Sequence, residues 1–117
     1  LFLIYNLMKE YLFAYGMFRD AARNLLGDLE HIERTTINAK IYRVNTFYPG
    51  AVLGDGITHG DLYLVDISKF PELDEFEGDE YIRKKTVTSS GVECWVYEYI
   101  LPVTSFKEIK TGDWFTR

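Results

Sequence analysis

Five consecutive apolar or aromatic residues, Tyr11-Leu12-Phe13-Ala14-Tyr15, stop abruptly at Gly16. The run is short for a helix and has no polar position to turn towards water, so it predicts a strand covered on both faces. Such a strand belongs in the interior of a sheet, and the other elements must supply cover on both sides of it. Gly16-Met17-Phe18-Arg19-Asp20 then forms a loop at the strand end. Two readings stay open there. One is a plain strand-ending turn; the other is a loop whose glycine brings the backbone close to a ligand, with free N–H groups facing a pocket.

Beyond this loop, residues 21–26 carry a weak helical pattern that ends at Gly27-Asp28. Residues 29–39 predict an irregular second strand, and 41–44 a third. The stretch from Tyr48-Pro49-Gly50 to Gly54-Asp55-Gly56 holds one proline and three glycines in nine positions, which predicts a shaped loop. Residues 57–65 give a fourth strand, and 81–88 and 92–100 a pair joined as a hairpin by Ser89-Ser90-Gly91. Strands that outnumber the one clear helix predict an α+β fold. The expected form is a small mixed-sheet β-barrel with one main helix packed alongside.

That helix begins near Phe70, with Asp66 or Ser68 as its cap, Pro71 in the first turn and Gly78 as its stop. At about 100° per residue, Phe70, Leu73 and Phe76 define its apolar side. Glu77 falls between Phe70 and Leu73, whereas Glu72 and Glu75 point away. A glutamate on the core side is either a helix-end residue reaching past the core to water, or a desolvated acid whose proton affinity rises towards neutrality. Only the second serves as a general acid/base.

A chain of 117 residues is read as one domain over 8–117, with the apolar residues 1–7 before Met8-Lys9-Glu10 as an upstream or non-native extension. Thirteen basic against eighteen acidic side chains, without a basic stripe, argue against a nucleic-acid partner. No apolar stretch has the length of a membrane span. The single cysteine, Cys94, is read as a small buried hydrophobe in a reducing compartment, with the cytoplasm as default. No His or Cys spacing suggests a metal, and His31 and His59 read as strand residues.

Tyr15-Gly16, Tyr48-Pro49-Gly50, Gly60-Asp61-Leu62-Tyr63, Leu73-Asp74-x-x-Glu77-Gly78 with Tyr81-x-Arg83, and Gly112-Asp113-Trp114 occur in that order. Together they resemble the gamma-glutamylcyclotransferase-like family, in particular its short branch of gamma-glutamylamine cyclotransferases and avirulence-induced proteins. The resemblance implies a single pocket, no cofactor and a small-molecule gamma-glutamyl substrate. It also implies a glutamate acid/base, carried onto Glu77. The loop that holds the glutamyl part is carried onto Tyr15, Gly16, Met17 and Phe18, with Tyr81 lining the same pocket. Met17 stands where the family has a small hydroxylated residue, so the alternative is a module that binds in the family pocket without turnover. Asp74 is expected to be structural, at the helix surface or the pocket edge, Arg83 to pair with an acid of the helix or to contact a substrate carboxylate, and the protein to be a monomer or a homodimer.

Overall fold

The computed structural model of the chain describes residues 8–16 and 29–117; Met17, Phe18, the helix expected over 21–26 and residues 1–7 lie outside them. Five strands, β1 (Lys9–Ala14), β2 (Glu30–Tyr42), β3 (Gly50–Asp66), β4 (Tyr81–Val87) and β5 (Glu93–Tyr99), form one mixed sheet in the order β2-β3-β1-β5-β4. The apolar run is its middle strand, antiparallel to β3 and parallel to β5. Side chains alternate across it. Phe13 and Tyr15 pack on one face with Leu62, Val96 and Trp114. Leu12 and Ala14 pack on the other with Tyr63, Val65 and Tyr97.

Helix α1 (Phe70–Glu77) lies on the second face and buries Phe70 and Leu73 there. Eight residues are too few for a stable isolated helix, so its existence depends on that packing, about 1.5–3 kcal/mol for each fully buried side chain. Asp66 caps the short 3-10 turn Ile67–Lys69 that leads into it, accepting the Ser68 N–H at 2.9 Å. Phe76 is 54% exposed, contrary to the expectation that it joins the apolar side. A stripe centred between Phe70 and Leu73 leaves Phe76 about 90° off its axis but Glu77 only about 10° off.

Three further expectations need correction. Among the described residues the edge strands β2 and β4 approach one another at one isolated bridge, Ile37 with Thr88, aided by donation from Ser89 N–H to the Thr36 carbonyl. Without a continuous ladder between the edges the sheet curls but does not close, and it is not a barrel. The separate strands expected over 29–39 and 41–44 are one thirteen-residue strand, β2, whose ladder with β3 runs on past a register shift between Ile37 and Ala39. Opposite that shift, the expected loop from Gly50 onward is the first part of β3. Gly56 shows why: at φ +115° a side chain is strained, and a Cβ there would lie 2.6 Å from the Ala39 carbonyl oxygen. Its glycines let β3 bulge while remaining paired.

The Gly112-Asp113-Trp114 block pins the chain's end region to the sheet. Trp114 is buried in the first core cluster, and Asp113 accepts from Arg34 Nη2 at 2.7 Å and from Phe115 N–H at 3.0 Å. Cys94 is also fully buried, and burial raises its thiol to about 11, which leaves it a packing residue.

Candidate active site

Strand β1 delivers Tyr15 and Gly16 to the end of helix α1. Between them lies a cleft of about 350 Å³, part of it open to solvent, bordered by Tyr15, Gly16, Tyr48, Pro49, Glu77, Tyr81 and Tyr97 over a floor of Phe13 and Ala14. Four of the residues singled out from the sequence, Tyr15, Gly16, Glu77 and Tyr81, therefore share one cavity. Met17 and Phe18 fall outside the described residues. Neither His31 nor His59 borders the cleft: His31 Nε2 sits 2.9 Å from Asp61 Oδ1, and the His59 main chain donates to the Gly112 carbonyl.

Glu77 is partly buried among aromatic walls. Burial raises its carboxyl from 4.5 to about 7, because a carboxylate there loses water that no cation among the described residues replaces. Among the described residues the side chain has neither a hydrogen-bond nor an ion-pair partner. It is thus a carboxyl near neutrality with its oxygens uncommitted. Such a group can accept a proton and return it at ordinary pH.

The tyrosines are committed to the framework. The Tyr15 hydroxyl donates to the Tyr97 carbonyl at 2.6 Å and accepts the Ala51 N–H at 3.1 Å, so a ligand meets its ring. Burial, together with the charges of Tyr81 and Glu77, pushes that phenol well above its usual range. The Tyr81 hydroxyl donates to the Pro49 carbonyl at 2.8 Å, and burial followed by the Glu77 charge raises it strongly too. Removing that donor by Tyr81→Phe keeps the ring but leaves the Pro49 carbonyl without it. The expected loss is about 1 kcal/mol in a urea unfolding series, with turnover reduced less than tenfold.

Gly16 is required by space rather than by backbone angle. A Cβ on it would sit 2.6 Å from Pro49 Cδ and 2.9 Å from Cγ, so the two walls touch at this point. Tyr48 and Pro49 of the Tyr48-Pro49-Gly50 block border the cleft, although sequence reasoning assigned them no role in the site. The proline was the available signal, since a rigid ring beside glycine marks a shaped wall. Tyr97 was missed as well. It lies within an alternating strand, where a tyrosine reads as core.

On the helix surface Asp74 accepts from Arg83 Nε at 2.9 Å and from the Tyr97 hydroxyl at 2.6 Å. Burial opposes its ionisation, but these hydrogen bonds and the Arg83 charge outweigh that and lower its carboxyl. Arg83 thus pairs with an acid of the helix, as expected. Among the described residues no group of three or more His, Cys, Asp or Glu is placed to hold a metal ion, and no helix is long and apolar enough to cross a membrane.

Comparison with known proteins identifies the family and the fold. The chain is 36% identical to the gamma-glutamylcyclotransferase family protein YtfP of Escherichia coli K12, over 91% of this chain and 96% of that protein. The solution structure of Escherichia coli YtfP superposes with a TM-score of 0.70 at 32% identity, covering 89% of this chain and 95% of the other. A mouse AIG2-like protein shares the fold, with a TM-score of 0.68 at 19% identity over 80% of each chain. The family model described as gamma-glutamyl cyclotransferase, AIG2-like, matches residues 12–116, and the chain belongs to that family.

Proposed function

We propose that this chain is a gamma-glutamyl cyclotransferase that releases 5-oxoproline from a gamma-glutamyl amine or amide, with Glu77 as the general acid/base. The observation that carries this reading is the uncommitted Glu77 carboxyl, raised to about 7, in the cleft that Gly16 borders. A gamma-glutamyl amide contains its own nucleophile. Its alpha-amino nitrogen attacks the side-chain carbonyl carbon, a five-membered lactam closes, and the bond to the departing amine breaks. The effective concentration of a nucleophile tethered in this way removes the need for a Ser or Cys.

Glu77, ionised, takes the proton that the alpha-amino nitrogen must lose and returns it to the departing amine, so the carboxylate is regenerated in each cycle. Main-chain N–H groups of the loop that starts at Gly16 are the donors assigned to the carbonyl oxygen as charge grows on it. No cofactor enters this chemistry.

The test is a panel of gamma-glutamyl amines assayed for 5-oxoproline and free amine in equal amounts. Failure to form 5-oxoproline from any of them, with ligands nevertheless raising the melting temperature, would favour the module that binds without turnover. The same assay gives a pH prediction. Glu77 must start ionised, so kcat/KM should rise with pH through a midpoint of about 7 and then level off. An acidic limb centred near 4.5 would place the working carboxylate elsewhere.

A further inference from the structure

The apolar anchors of α1, Phe70 and Leu73, lie in its first half, and its final turn, which carries Glu77, contains exposed Phe76. Polar contacts also hold that turn against the cleft. Asp74 sits there. Its main-chain carbonyl accepts the Gly78 N–H that ends the helix, and its carboxylate is gripped by Arg83 and by the Tyr97 hydroxyl. The Arg83 guanidinium itself lies against the rings of Phe70 and Trp95, 4.2 and 4.3 Å from their centres, in the corner that this edge-on pair makes, so the grip has a fixed direction.

Tyr97 completes the connection. Its main-chain carbonyl accepts the Tyr15 hydroxyl, its ring borders the cleft with Glu77, and its own hydroxyl reaches Asp74. One residue of β5 therefore ties the end of β1, where the Gly16 loop begins, to the helical turn that bears the carboxylate. We propose that Tyr97 and Asp74 are positioning residues for the acid/base: their hydrogen bond sets where Glu77 stands relative to Gly16. The proposal rests on Glu77 acting as the proton shuttle, and neither residue is asked to touch the reacting atoms.

The experiment compares Tyr97→Phe, Asp74→Asn and the wild type. With the clamp cut, kcat should fall on the order of tenfold while KM changes less than twofold, because the group that moves the proton is misplaced, not the binding walls. The Glu77 carboxyl, followed by NMR titration, should move down towards the ordinary carboxylate range as the turn loosens and water reaches it, and amide exchange should quicken across the last turn. In a Glu77→Gln background, adding Tyr97→Phe should cost no further turnover.

Wild-type kcat in Tyr97→Phe with an unmoved Glu77 titration would overturn the proposal. So would a loss that multiplies undiminished in the Glu77→Gln background. Should Tyr97→Phe fail to fold, Asp74→Asn, altered at a more exposed position, carries the same readouts. The titration and exchange measurements need no substrate, so a wild type that forms no 5-oxoproline would refute the functional reading while leaving the clamp to be judged separately.

Discussion

Glu77→Gln should give a protein that is nearly inactive and more stable than the wild type. The substitution keeps size and shape but removes the proposed proton shuttle, so turnover should fall about 10²–10⁴-fold, the usual contribution of a positioned acid/base. The gain in stability follows from the same burial. A carboxyl at about 7 in the folded chain and 4.5 unfolded binds its proton more tightly when folded, so stability is fully present below 4.5 and is lost as pH rises through about 7. The difference corresponds to about 3 kcal/mol at pH 8, which a neutral glutamine does not lose. Thermal unfolding should therefore show the variant melting on the order of 10 °C higher at pH 8, with the two proteins converging near pH 5. Equal melting curves at both pH values would mean that Glu77 is solvated, and full turnover would mean that another group moves the proton.

The second large effect is expected at Gly16. Gly16→Ala places a methyl group 2.6 Å from Pro49 Cδ, and that ring is closed on its own backbone and cannot swing aside. Nor can the Pro49 wall retreat easily: its carbonyl is held by the Tyr81 hydroxyl, and a Cβ on neighbouring Gly50 would already meet Tyr99 Cβ and Cγ at 2.7 Å. The two walls must therefore separate, and the spacing between Glu77 and the Gly16 side of the cleft changes with them. Overpacking of this kind costs about 1–3 kcal/mol, and a displacement near 1 Å lowers kcat/KM on the order of 10²-fold. The double variant Gly16→Ala with Pro49→Ala, which removes the colliding ring atoms, should recover most of the stability in a urea series. No recovery would show that the strain lies elsewhere.

The parts of this molecule that sequence made legible are those where one residue type has one use. An apolar run without a polar face marked β1 as the middle strand, and its halt at Gly16 located the rim of the cleft. Helical angle alone placed Glu77 on the core side, because Phe70 and Leu73 bracket it. The same wheel misplaced Phe76, since two buried residues define a stripe too narrow to include a third at 90°. Glycine was ambiguous. In the segment from Gly50 to Gly56 it signalled a loop, whereas the chain uses positive φ at Gly54 and Gly56 to bulge within a paired strand. Curvature was illegible for a different reason: whether a twisted sheet closes depends on how its edges meet, and here that is decided at Ile37 and Thr88, far apart in the chain.

Among the site residues, the Arg83–Asp74 pair could be anticipated from charges on adjoining elements. The Tyr97–Asp74 bond could not, because nothing about a tyrosine in an alternating strand announces which face of which helix it will reach. The resemblance to a family supplied what residue patterns lack, namely a reason for Gly16 and Glu77 to be considered together. The structure adds what the resemblance does not contain: the cause of the raised carboxyl, the contact that forbids a side chain at Gly16, and the bond between Tyr97 and the turn that bears Glu77.

The central claim is that burial keeps Glu77 close to neutrality as a proton carrier, and direct titration of its carboxyl carbon by NMR tests it most plainly, with Glu77→Gln identifying the resonance. A midpoint near 7, matching the acidic limb of kcat/KM, is the result this account predicts. A midpoint near 4.5, with activity still rising through neutrality, would contradict it.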